Sequence, residues 1–296
     1  MSDNAAMISS STIKISDSDL PDDYIRCTAY DPLSHKLAFV SNDKKLWIWD
    51  TDLWSLVGSK DLVKRGSAVA FASSKIIVAD KFGDVYTFSL MDDSRSLIMG
   101  HVSQVTDLVC TDHYLITSDT DEHIRVSNYP NAYDIHTYCL GHESFISKIC
   151  MIDDLLVSGG GDQYICCWDY KSGTKLDSKE INNDFGITVM KNNKNRLMIA
   201  TEKSSILTFW NVAKTLTFTK ELDLKDPILD ATFDSKGHVW ASTSNGLALI
   251  TNDEISWLNI KIGSVKSFTY ESVSDLKKTF SEKVESDLKK IKTDHA

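Results

Sequence analysis

Six stretches of this 296-residue chain end alike, one about every forty residues, and that period limits the fold more than any other feature. The template is GDQYICCWDY, Gly161 to Tyr170, a polar turn followed by an alternating strand that ends in Trp168 and Asp169. Its relatives are NDKKLWIWDT ending at Trp49, KFGDVYTFSL at Phe88, TDEHIRVSNY at Ser127, KSSILTFWNV at Trp210 and TSNGLALITN at Ile250. Successive ends lie 39, 39, 41, 42 and 40 residues apart. Several short alternating strands per unit, with Gly/Asp/Asn turns and a terminal Trp-Asp, describe the blade of a WD-type β-propeller. The expected fold is therefore all-β, with six recognisable blades and room for a reduced seventh.

The pair Gly-His occurs at Gly100-His101 and Gly141-His142, each 26 residues before a strand end, Ser127 or Trp168. That placement predicts a buried polar network of His142, Ser158, Asp162 and Trp168, in which every donor must find an acceptor. The preceding blade keeps His101, Thr117 and Asp121 but has Ser127 where the tryptophan would stand. Its network is expected to be incomplete. Both histidines read as structural, and the other six have no ligand spacing, so no metal site is expected.

The propeller is expected over 1–270. MISSSTIKIS, Met7 to Ser16, alternates weakly and could supply an outer strand that closes the ring. Residues 271–296 differ in character: Leu276, Phe280, Val284 and Leu288 recur at steps of four, which predicts one amphipathic helix. Its other face carries Lys277, Lys278, Lys283, Lys289 and Lys290, a solvated face or a local handle for RNA.

The net charge of −10 speaks against broad unaided binding to phosphates. Six cysteines without a CxxC pair signal neither zinc nor redox chemistry, and the amino terminus lacks a leader pattern, so a reduced intracellular protein without a membrane span is expected. No GxSxG, HExxH or phosphate-loop signature occurs. The triple glycine in SGGGDQ is not followed by Lys-Ser/Thr and reads as a turn. Binding, not catalysis, is the expected class, and no cofactor is expected on this chain.

Strands in a blade alternate in direction, so the Gly-His loops and the turns between second and third strands should emerge at one end of the ring. This gathers Asp80, Lys81, Asp121, Glu122, Arg125, Glu143, Phe145 and Lys148 on three neighbouring blades. Phe145 is expected to be an exposed apolar anchor within a charged rim, as in protein interfaces. Asp121 and Asp162 also suit turn caps.

VADKFGDVYTFSL, GHVSQVTDL, ITSDTDEHIRVSNYP and CLGHESFISKIC, in that order, resemble the WD-repeat non-catalytic subunit of the eukaryotic tRNA (guanine-N7-)-methyltransferase. The likeness is densest from Ile76 to Trp168. It implies a heterodimer in which the catalytic partner uses S-adenosylmethionine to methylate N7 of a guanine in the tRNA variable loop. It further implies nuclear action, tRNA contact mainly through that partner, and a coupling role for Lys148, where the family often has a basic residue.

The family usually has seven blades, so ring closure is a point of departure here. One rival reading is a substrate adaptor of a ubiquitin ligase, but the Arg such adaptors often carry two residues after Trp-Asp is replaced by Asp52 and Lys171. The other, a propeller hydrolase, would need a carboxylate or metal cluster that the sequence does not offer.

Overall fold

The computed structural model describes residues 25–181 and 185–258. They form six four-stranded antiparallel sheets in strict sequence order, spanning 25–61, 66–100, 105–139, 146–180, 187–223 and 228–258, and these are blades 1 to 6. The innermost strands of consecutive blades pack side by side, so the chain is a six-bladed β-propeller over the described residues. The expected ring-closing strand at 7–16, the helix at 271–296 and its lysines lie outside those residues.

The apolar face of each strand is buried between blades, not within one. Ile116, Ile124 and Val126 of blade 3 pack with Ile146, Leu156, Cys166 and Trp168 of blade 4. Cys150, Val157 and Cys167 of blade 4 pack in turn with Met190, Leu197 and Trp210 of blade 5. Each blade thus covers its neighbour, which is why a single forty-residue unit could not fold alone. The cysteines are free, and burial pushes the thiols of Cys150 and Cys166 up to about 12.

A register slip recurs near the start of every innermost strand, between Ile25 and Cys27, Gly66 and Ala68, Ile146 and Lys148, Ile187 and Val189, and Ile228 and Asp230, with its counterpart in blade 3 opposite Ser118 and Asp119. A bulge re-aims the extra residue, and here it aims it at the next blade. Arg26 Nε donates to Gly66 O at 2.9 Å, Thr106 Oγ1 to Ile146 O at 2.5 Å and Ser147 Oγ to Ile187 O at 2.6 Å. Each latch spans 40 residues, one repeat length.

Candidate partner interface

One end of the ring carries the loops that leave each blade and the turns between second and third strands. Backbone hydrogen bonds tie the two sets together: Leu62 N donates to Lys44 O, His101 N to Gly83 O, Gly161 N to Phe145 O and Ile181 N to Gln163 O. In blade 4, His142 Nδ1 lies 2.7 Å from Asp162 Oδ2, and Nε2 lies 2.7 Å from Ser158 Oγ. Trp168 Nε1 donates to the same hydroxyl oxygen at 2.7 Å. With Nδ1–H donating to the carboxylate, Nε2 accepts the Ser158 proton and every polar atom of the relay is satisfied. Burial pulls the Asp162 carboxyl up, but the hydrogen bond from His142 and those from the amides of Glu143 and Tyr164 together outweigh it and hold it below the usual carboxylate range.

Blade 3 is built differently from the sequence expectation. His101 Nδ1 bonds Asp119 Oδ2 at 3.0 Å, and Nε2 bonds Thr117 Oγ1 at 2.7 Å, so Asp119 and not Asp121 holds the imidazole. The strand position that is Gly160 in blade 4 is Asp119 in blade 3, and a carboxylate on the strand reaches the histidine without help from the turn. Asp119 Oδ1 also accepts from Asp121 N at 2.9 Å and His123 N at 3.0 Å, capping the turn.

Nor is the place of the missing tryptophan left unfilled. Arg125 is only 8% exposed; its Nε donates to Ser127 Oγ at 2.9 Å, and its Nη atoms donate to Gly100 O and Ala132 O. Arg125 therefore braces blade 3 from within and is not a surface residue. Its place beside the turn between second and third strands put it at the expected interface, but its side chain turns into the blade.

Phe145 is buried as well, at 1% exposure. It packs against the triple glycine: a Cβ on Gly161 would lie 2.4 Å from Phe145 Cε1, and one on Gly160 would lie 1.9 Å from Phe145 O. Gly159 and Gly160 belong to a strand, Leu155–Gly160, and only Gly161 to the turn. Gly161 makes room for the ring and Gly160 for the backbone beside it.

An exposed aromatic of this end is instead Phe82, at 55% exposure. The ammonium groups of Lys64 and Lys81 lie 4.8 and 4.9 Å from its ring centroid. Asp80, expected at the surface, is buried, and its Oδ1 accepts from Phe82 N at 2.8 Å and Asp84 N at 3.2 Å. The signal for Phe82 was present in KFG, where a large apolar residue in a tight polar turn has no strand face to occupy.

Across blades 3 and 4 the sign changes. Glu143 is exposed and its amide donates to Asp162 Oδ2 at 3.0 Å, while Glu122 is half-buried in a left-handed turn with φ of 70°. Burial raises the Glu122 carboxyl above its ordinary range, and the charges of Asp121, Asp162 and Glu143 add to the effect while His123 opposes it.

Lys148 lies on the innermost strand of blade 4 and, with Arg26, Asp107 and Lys191, lines a central cavity of about 570 Å³. Beside it, Ile149 N donates to Asp107 Oδ2 at 3.0 Å. Lys148 is half-buried, and it sits two residues from the end of the ring that carries Phe145 and the clamps. Among the described residues no group of three or more His, Cys, Asp or Glu is placed to hold a metal ion.

Blades bolted by buried clamps, with charged and aromatic side chains at one end, define a WD-repeat β-propeller. The chain matches the family model described as the tRNA methyltransferase TRM82 WD40 domain over residues 24–96 and 94–256, and it belongs to that family. It is 35% identical over 188 residues to the tRNA (guanine-N(7)-)-methyltransferase non-catalytic subunit wdr4 of Dictyostelium discoideum, covering 53% of this chain and 40% of that protein. It is 36% identical over 163 residues to TRM82 of Kluyveromyces lactis, covering 47% and 37%, and 34% identical over 167 residues to WDR4 of Mus musculus, covering 53% and 40%. Both carry the same description of non-catalytic subunit. The matched segments span less than half the length of these curated relatives. Among solved structures, the RRP9 WD40 repeats superpose with a TM-score of 0.67 at 18% identity, over 74% of this chain and 73% of that one, a likeness of fold alone.

Proposed function

We propose that this chain is the non-catalytic WD-repeat subunit of a tRNA (guanine-N7-)-methyltransferase, binding and stabilising the catalytic subunit as a heterodimer for N7-methylguanosine formation in the tRNA variable loop. The observation that carries the reading is the family match across 24–256, joined to relatives that bear that description. S-adenosylmethionine belongs on the partner, and the complex acts in the nucleus. With a net charge of −10, this subunit leaves most phosphate contacts to the catalytic chain, helped by the lysines of 277–290.

The docking surface is the end of the ring formed by Lys64, Lys81, Phe82, Glu122 and Glu143, with Lys148 at the cavity as the coupling cation. An exposed aromatic supplies contact area, and charges of both signs around it fix orientation and suppress wrong partners. Binding favours the competent form of the enzyme over the incompetent form, a shift in population that needs no catalytic group here. Co-purification with the catalytic subunit tests this directly, wild type against Lys148→Glu. A stable complex lost on charge reversal supports the reading; no complex with the wild type rejects it.

A further inference from the structure

Blades 2, 3 and 4 each carry a carboxylate at or beside the turn between second and third strands, and the loop arriving from the preceding blade lays one side chain against it. In blade 3 the pair is Asp119 with His101, and in blade 4 Asp162 with His142. Asp80 has the register of Asp119 and the same turn-capping bonds through Oδ1. Yet the residue eighteen positions earlier, which is His101 for Asp119, is Leu62 for Asp80. In blade 5 the same strand position is the uncharged Thr201, so no carboxylate there calls for a partner.

The consequence falls on one atom. Asp80 Oδ2 is buried and has no hydrogen-bond partner, although the whole residue is only 3% exposed. A buried polar atom of this kind is rare in native proteins, because its lost hydration is not repaid. Leu62, Val63, Lys64, Val78 and Tyr86 line a recess of about 10 Å³ at this carboxylate, room for about one atom. The recess opens beside the exposed Val63 and Lys64, and the turn that caps it presents Phe82 to solvent.

The surrounding charge narrows what fits. Lys64 and Lys81 hold their ammonium groups over Phe82, and Arg95 places its guanidinium 5.7 Å from the Tyr86 ring centroid. Three cations already stand around the recess against the carboxylates of Asp80 and Asp84, so a neutral N–H or O–H completes the site without adding a fourth. The aliphatic wall and exposed ring favour an apolar body behind that donor.

We propose that the Asp80 recess is a docking site for an aromatic side chain bearing a neutral hydrogen-bond donor, a tyrosine hydroxyl or an indole N–H, supplied by the catalytic subunit. The donor takes at Asp80 the place that His101 takes at Asp119, and its ring lies against Phe82 and Val63. This rests on the function proposed above and names the chemistry of one contact within it.

The test compares the affinity of the full chain for the catalytic subunit in wild type, Leu62→His and Asp80→Asn, with the Tm of each free chain. Leu62→His supplies the donor internally, so the free chain should gain about 2–4 °C in Tm while its affinity falls about tenfold. Asp80→Asn keeps the capping oxygen but turns an N–H toward the incoming donor, and should weaken binding similarly without unfolding. A stabilised Leu62→His chain with unchanged affinity would show an internal packing defect only and overturn the proposal. Should Leu62→His fail to fold, unchanged affinity in Asp80→Asn overturns it alone. Absence of a wild-type complex would sink the proposed function and this contact together, whereas a complex indifferent to both variants sinks only the contact.

Discussion

His142 Nδ1 stands 2.7 Å from Asp162 Oδ2, a bond that joins the loop leaving blade 3 to the turn of blade 4. Ser158 lies beneath both, taking the indole N–H of Trp168 and giving its own proton to the imidazole. Ser158→Ala would leave two buried groups unpartnered, and a loss of about 2–4 kcal/mol is expected. Urea unfolding midpoints read this, and a loss below about 0.5 kcal/mol would mean that the relay is not what holds blade 4.

The latches between blades are a separate stabilising device. Ser147→Ala removes the bond to Ile187 O and should cost about 1 kcal/mol, with Thr106→Val costing a similar amount through the bond to Ile146 O. The two act on adjacent seams, so their effects should add in the double variant. Ser67, at the corresponding bulge of blade 2, has no partner for its buried hydroxyl oxygen, so Ser67→Ala should be neutral or mildly stabilising. The same denaturation series checks all of them.

Gly160→Ala is expected to abolish folding of blade 4, because a Cβ there would stand 1.9 Å from the carbonyl oxygen of Phe145, a backbone atom that cannot step aside. Soluble expression and circular dichroism distinguish this from the mild cost of an ordinary exposed Gly-to-Ala change.

Two carboxylates should respond to pH with opposite sign. Asp162 is pulled up first by burial, but the hydrogen bonds from His142 and the amides of Glu143 and Tyr164 together leave its folded pKa lowered. Its contribution is present above the unfolded carboxylate pKa and is lost as pH falls through the folded one. Asp80 is raised, first by burial, with two backbone hydrogen bonds opposing. Its ionised form therefore costs stability at neutral pH, and the cost disappears as pH falls through its raised folded pKa. Against wild type, Asp162→Asn should be less stable and Asp80→Asn more stable at pH 7, with both gaps closing toward acid. Denaturation midpoints across pH 3–7 would contradict this if the two variants moved in the same direction.

Much of the architecture was legible because it repeats: six strand ends, at 49, 88, 127, 168, 210 and 250, set one to each blade. What a period cannot carry is the exchange of roles between neighbouring positions. Asp121 matches Asp162 in register, yet Asp119 holds His101 because the strand position filled by Gly160 in blade 4 carries a carboxylate in blade 3. Arg125 reads as a surface cation, but Ser127 in place of a tryptophan opens the volume that its guanidinium fills. Phe145 is hidden for a related reason, since Gly160 and Gly161, fifteen and sixteen positions later in the sequence, make the space for it. At the turn of blade 2 the charges of Asp80 and Lys81 are the more visible signal in the sequence, yet Asp80 is buried and the Phe82 ring beside them is what faces solvent.

The measurement that bears most directly on function is N7-guanine methylation of tRNA by the catalytic subunit, alone and with an equimolar amount of this chain. The account predicts that the chain raises the activity at least tenfold, that Lys148→Glu removes the gain, and that the chain alone transfers no methyl group. A catalytic subunit fully active by itself at the same concentration, and indifferent to added chain, would contradict it.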